Sequence, residues 1–465
     1  MKNVYKLIST TIFALAISLT GISQAQSLSD IQFWVGEGTD STIVVVDFLE
    51  ASPSAYAWGV KFNDSISGSD ILNLISWNDK DFTVKKGQFL NDIIYKTHSG
   101  IAGTNSNYWN TWTNSIGTWV SNTGLGTYIK AGESFGFSFT GWPASAPHLI
   151  AVPVVQSFFS PQVGTVGSDA IYKDSTAITQ WVTAVDGLVR GPQDIANPGG
   201  GTASFGVEQN VIGTINNQYL SLGDGGSITL SFGSYGIENG TGADFAVFEN
   251  GFTFGSGAFL ELAFVEVSSN GTDFVRFPSI SLTPTATQTG GFGSTDAKML
   301  HNLAGKYIKN WGTPFDLEDL KDNPNVDVNN ITHIRLVDVV GSINPQFGTK
   351  DAKGHLINDP YSTPFASSGF DLDGIGIINP TLLTSTIDVT EAGFSVFPTS
   401  ANDYISVISE NKIESVEMIH VGTGISFSKS LDDNKSIDLN GMNTGMYIIN
   451  VYQNGTWSSQ KIIVE

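Results

Sequence analysis

The chain has 465 residues, with 22 lysines and arginines against 44 aspartates and glutamates, and no cysteine. A formal charge of −22 excludes the basic footprint that nucleic-acid binding needs, and the missing cysteines exclude disulfides, thiolate zinc sites, iron–sulfur clusters and a cysteine nucleophile. With 51 glycines and 11% aromatics over only 14% charged residues, the profile is that of an all-β protein with minor helix, not of a disordered chain.

In chain order, residues 1–25 read as a secretory signal peptide. Lys2 and Lys6 precede an apolar stretch too short to span a bilayer, and Ser23, Gln24 and Ala25 offer a small-residue cleavage site. Residues 28–148 form a first domain that holds seven of the ten tryptophans. Strands are predicted at Ile43 to Phe48, Tyr56 to Phe62, Trp119 to Ser121 and Phe135 to Phe139. The run from Ser67 to Asp70 offers N-caps for a helix with Ile71, Leu74 and Ile75 on one face. Residues 160–380 form a Gly- and Thr-rich domain of short strands and turns, predicted as a jelly roll. Its strands are expected at Ser227 to Phe232, Asp244 to Glu249, Phe259 to Ser268, Ile331 to Val340 and Gly374 to Ile378. Helical patches are expected at Asp296 to Ala304 and Phe315 to Leu320. A Thr-rich linker at 381–391 leads to a last unit, 392–465. Its strands are predicted at Tyr404 to Ser409, Ser415 to His420, Met446 to Tyr452 and Ser459 to Val464. The expected architecture is several β-sandwich or jelly-roll domains in tandem.

Three segments carry resemblances. Phe394-Ser-Val-Phe-Pro398, the Ile437-Asp-Leu439 step, Gly445-Met-Tyr-Ile448 and the terminal Lys461-Ile-Ile-Val-Glu465 run resemble the C-terminal sorting domain of type IX secretion cargo, with Glu465 where that family has a basic end. That resemblance implies an Ig-like sandwich, the type IX secretion machinery as partner, and a secreted or outer-surface location. Gly87-Gln-Phe-Leu90, Tyr108-Trp109, Gly132-Glu-Ser-Phe135 and Gly141-Trp142 resemble the C-terminal β domain of transcobalamins. This implies a corrinoid ligand such as cobalamin, handed to an outer-membrane transporter. Val265-Glu-Val-Ser268 with Asn270-Gly271 and Phe274 is similar to strands of galactose-binding-like jelly rolls in secreted bacterial surface proteins, which implies a binding module.

The residues that could carry chemistry are few. The six histidines lie at no metalloprotease spacing, and there is no Gly-x-Ser-x-Gly elbow or P-loop. Asp371 and Asp373 flank one residue before Gly374, so an extended chain would turn both carboxylates to one side. With Asp244, Glu249 and Asp338 they would suit calcium, a hard ion that takes oxygen ligands. Tyr108, Trp109, Trp112, Trp119 and Tyr128 lie in a polar stretch and could stack on a corrinoid or a sugar. The core reading competes for the tryptophans, and for Trp109 and Trp142 it is the favoured one. The expected function is non-enzymatic capture of an extracellular ligand, corrinoid or glycan. A glycosidase using Glu249, Glu261 or Glu266 is the alternative from another class.

Overall fold

The computed structural model describes residues 26–50, 53–255, 257–383, 393–409, 411–429, 431 and 435–465. The signal peptide expected at 1–25 and all but the first three residues of the expected linker lie outside the described residues.

The first domain is one twisted sheet with a lid on one face. Strands β1 (Trp34–Gly36), β2 (Asp40–Asp47) and β3 (Ala55–Phe62) precede helix α1 (Gly68–Asn78). Strands β4 (Phe82–Lys86), β5 (Leu90–Tyr95), β6 (His98–Ile101), β7 (Tyr108–Asn114), β8 (Trp119–Ser121) and β9 (Ser134–Thr140) follow. The large sheet runs β1-β3-β2-β9-β7-β8, and β4-β5-β6 form a small separate sheet. β2 is buried along almost its whole length because both faces are covered. On one face, Val44 and Val46 meet Ile71, Leu72 and Ile75 of α1 and Ile93 and Tyr95 of the small sheet. On the other face, Ile43 and Val45 pack with Ile31 and Ala151. Ser67 caps α1 by accepting from the Asp70 amide. Val154 still packs in this core, six residues past the expected boundary.

The middle domain is a sandwich. It contains β10 (Ile171–Tyr172), β11 (Gln180–Trp181), β12 (Ala184–Val189), β13 (Ser227–Ser231), β14 (Phe245–Glu249), β15 (Ala263–Ser268), β16 (Trp311–Phe315), β17 (His333–Asp338) and β18 (Asp371–Ile377). One sheet runs β10-β16-β14-β18-β11 and the other has the path β12-β13-β17-β15. Phe245, Val247, Ile375 and Ile377 of the first sheet share one core with Ile228, Leu230, Val265 and Leu336 of the second. The predicted strand Phe259 to Ser268 is broken. Phe259 ends a hairpin strand (Gly257–Phe259), and β15 starts at Ala263. Both expected helical patches are only 3₁₀ turns, Ala297–Met299 and Leu317–Leu320, each N-capped by an aspartate side chain. After Asp296 the good helix formers Ala297 to Leu300 are overridden by strand pairing, Leu300-His301 with Ile280-Ser281 and Leu303-Ala304 with β15.

The last unit packs β19 (Phe394–Phe397), β20 (Tyr404–Ser409) and β22 (Ser436–Asp438) against a sheet with β21 (Ser415–His420), β23 (Gly445–Gln453) and β24 (Thr456–Val464). Val396 and Val407 of one sheet share a core with Met418, Tyr447 and Ile462 of the other.

The first two domains are joined by a lysine. Lys353 Nζ donates to the carbonyls of Ser76 (2.9 Å), Asp79 (2.8 Å) and Phe82 (2.8 Å) around the C-terminus of α1. A helix C-terminus leaves carbonyls unpaired and carries partial negative charge, so an ammonium fits it. Trp77 Nε1 donates back to the Lys353 carbonyl at 3.1 Å, and the Trp77 ring stacks on His355 with centroids 5.2 Å apart. Asp351 fixes the loop by accepting from the amides of Lys353, His355 and Ser281. Burial lowers Lys353 to about 8, so it is still charged at neutral pH. Lys353→Ala strands three carbonyls, and we predict a loss of about 2–3 kcal/mol. Scanning calorimetry of the full chain should then resolve separate melting of the first two domains. An unchanged transition would contradict the clamp.

Candidate functional site

Three carboxyl groups from distant parts of the sequence meet in the middle domain. Glu249 ends β14 and Asp371 begins the adjacent strand β18. The register between these strands slips by one residue: Phe248 lies opposite Gly374 but Glu249 opposite Leu372. Asp373 is thus the extra residue of a bulge, which removes it from regular alternation with Asp371. Glu261 comes from the segment between the hairpin and β15. Leu260 and Leu262 on either side of it bury in the core, and Glu261 turns into the cleft instead.

The cleft holds about 170 Å³ and is lined by Glu249, Glu261 and Asp371 with Tyr219, Phe252, Phe259, Phe292 and Phe365. The three acids are its floor, at 2%, 5% and 5% exposure. Phe252, Phe292 and Phe365 are its mouth, at 42%, 65% and 47%. Phe252 stacks on Phe259 across the hairpin, with centroids 5.0 Å apart, which fixes that side of the rim.

The floor is unevenly satisfied. Glu249 Oε2 accepts from the Gly251 amide at 2.6 Å, and Asp371 Oδ1 accepts from Ser221 Oγ. Among the described residues nothing donates a hydrogen bond to Glu261. Burial pushes Glu249 and Glu261 well above the ordinary carboxyl range, and the neighbouring Asp371 charge pushes them further. Burial takes Asp371 to about 7. Behind the floor, Asp338 accepts from the Gly225 and Phe370 amides and Asp359 from Leu262, and burial raises both.

Of the five acids expected to hold calcium, Glu249 and Asp371 meet in the cleft and the other three do not line it. Asp244 lies just before β14, at the end away from Glu249, and accepts from Gly240, Leu317 and Asn379. Asp338 is occupied by its two amides. Asp373 is raised to about 6 by burial and drawn down by Lys173, and its charge adds to the rise of Glu249, but it does not line the cleft. Among the described residues no group of three or more His, Asp or Glu side chains is arranged to hold a metal ion. Glu266, one of the three glycosidase candidates, is ion-paired to Arg276 and Arg335 on the other sheet.

Residues 395–465 match the secretion system C-terminal sorting domain family. This unit is a type IX sorting domain. The sorting domain makes the protein a secreted, cell-surface protein and the type IX machinery its partner. It accounts for the last 71 residues of the chain and leaves the first two domains to act outside the cell. No curated protein matches the chain.

Upstream of the sorting domain, the five aromatic residues expected to bind ligand are dispersed. Trp109 and Trp112 are three apart on β7 and so face opposite sides of the sheet. Trp109 is buried against Phe48 and Phe139 and donates to the Gly100 carbonyl at 2.9 Å. Trp112 is buried and donates to Ser138 Oγ at 2.8 Å. Trp119 is half-buried over Gly136. Tyr108 and Tyr128 are exposed, but Tyr128 sits on a separate strand pair with Ser67. Trp142, expected in the core, is 94% exposed.

The raised carboxyls set a pH dependence. A carboxyl whose folded pKa exceeds its unfolded value gives the fold its full contribution below about pH 4 and loses it as pH rises toward the folded value. The stability of the full chain should therefore fall from pH 4 to 7, at about 1.4 kcal/mol per pH unit for each carboxyl in its window, and the melting temperature with it. Glu261→Gln should flatten this slope in calorimetric scans. A melting temperature that rises across the window would contradict the assignment.

Proposed function

We propose that the protein captures a glycan at the cell surface, without turning it over, in the cleft of the middle domain. The observation that supports this best is Glu261. Glu261 is 5% exposed as a residue, its carboxyl lacks a hydrogen-bond partner among the described residues, and it opens into a cavity rimmed by exposed aromatic rings. A carboxyl in a narrow cleft with no protein donor is poorly solvated, and a ligand that hydrogen-bonds to it gains on binding. Sugars fit both parts. Their hydroxyls pair with carboxyl groups, and their apolar faces stack on Phe252, Phe292 and Phe365.

Size argues for a sugar over a corrinoid. At about 170 Å³ the cleft is below the 300–1,000 Å³ usual for a drug-sized ligand, so it suits one ring-sized unit of a larger chain. A corrin would have to rest on the rim with one side group inserted. A glycosidase would need two carboxyls on either side of the scissile bond, whereas Glu249, Glu261 and Asp371 crowd one floor.

The test is a glycan array on the full chain, with cobalamin titrated in parallel and hits confirmed by calorimetry. Phe292→Ala and Glu261→Ala should each weaken glycan binding by about tenfold. Cobalamin binding with no glycan hit, or glycan binding that ignores both substitutions, would overturn the proposal, and release of cleaved sugar would replace it with a hydrolase.

A further inference from the structure

A second cavity lies at the joint between the first and middle domains and has the opposite character. It holds about 370 Å³ and is lined by Asn73 and Trp77 of α1, Lys85 and Lys86 of β4, and Lys353 of the clamp loop. None of its described lining residues is acidic, in a chain with twice as many acids as bases. Elsewhere, among the described residues, six of the 22 lysines and arginines form ion pairs with carboxylates. Neither Lys85 nor Lys86 is in an ion pair among the described residues. Asp92 lies directly across from Lys85 in the strand register, yet the two form no ion pair. Lys86 Nζ donates to Ser69 Oγ at 2.7 Å and keeps its other protons for further acceptors.

The surroundings favour an anion. The C-terminus of α1 would repel one, but Lys353 already covers the carbonyls there and adds a third positive charge behind the cavity. Trp77 is held in place by its stack on His355 and gives the cavity an apolar wall. The volume is within the range of small-molecule sites.

We propose that this interdomain cavity is a second ligand site, which takes a small ring-bearing oxyanion: the ring lies along Trp77 and the anionic group is held by Lys85 and Lys86. Sulfate and carboxylate groups share the needed chemistry. The site is independent of the acidic cleft, which would repel the same ligand, so the two can fail separately.

The test is calorimetry of the full chain at low salt with three probes: glucose 6-sulfate, glucuronate and glucose. Binding of at least one anionic probe is expected, with glucose silent, and the affinity should fall as salt is added. The response of the two anions tells a sulfate ligand from a carboxylate one. The double variant Lys85→Gln/Lys86→Gln should weaken binding by about tenfold or more. Its melting temperature should not change, since both side chains reach solvent. No heat from either anionic probe, or affinity unchanged in the double variant, would overturn the proposal.

Discussion

Buried carboxyl groups set the terms for the middle domain. Glu249, Glu261, Asp338, Asp359 and Asp371 are removed from water within one sandwich. So many neighbouring charges cannot coexist in a low-dielectric interior, so the fold relies on protons and backbone amides to stabilise them. Where amides are available, the carboxyl works as a loop clasp. Asp338 ties the turns at Gly225 and Phe370, and Asp359 holds Leu262. Where none is available, as at Glu261, the structure leaves a hole with a polar floor. The same burial that stabilises the loops thus leaves one group to be satisfied from outside.

The aromatic rim is set by the same strands. Glu249 ends β14 beside the β18 bulge and at the foot of the hairpin whose Phe252 and Phe259 rings stack, so floor and rim depend on one connection. The domain is also not free to swing on the first one. Lys353 fills the end of α1 and brings Lys85 and Lys86 near the joint. The sorting domain delivers this pair to the cell surface as one acid-floored and one base-lined unit.

The fold was legible where one pattern controlled the outcome. Hydrophobic runs marked β2, β3, β8 and β9 and the strands of the last unit, and Ser67 marked the start of α1, because each depends on local periodicity or a local cap. The paired helical patches were misread because an N-cap signal marks where a helical turn starts and not how many turns it has. The site was only partly legible. Glu249, Glu261 and Asp371 were visible as acids, but their meeting depends on strand order and on a bulge, which spacing does not encode. In the tryptophan-rich stretch, residue type alone does not tell a stacking platform from a core ring. Trp109 and Trp112 bury on opposite faces, while Trp142 is exposed. The Lys353 clamp joins residues more than 270 positions apart and has no local signal.

The most direct test of this account is the protonation of the floor itself. Infrared titration of the full chain should find protonated carboxyl bands persisting at pH 7, and Glu261→Gln should remove part of that signal. If all carboxyls ionise by about pH 5, as ordinary surface acids do, the floor is solvated and the account of the cleft is wrong.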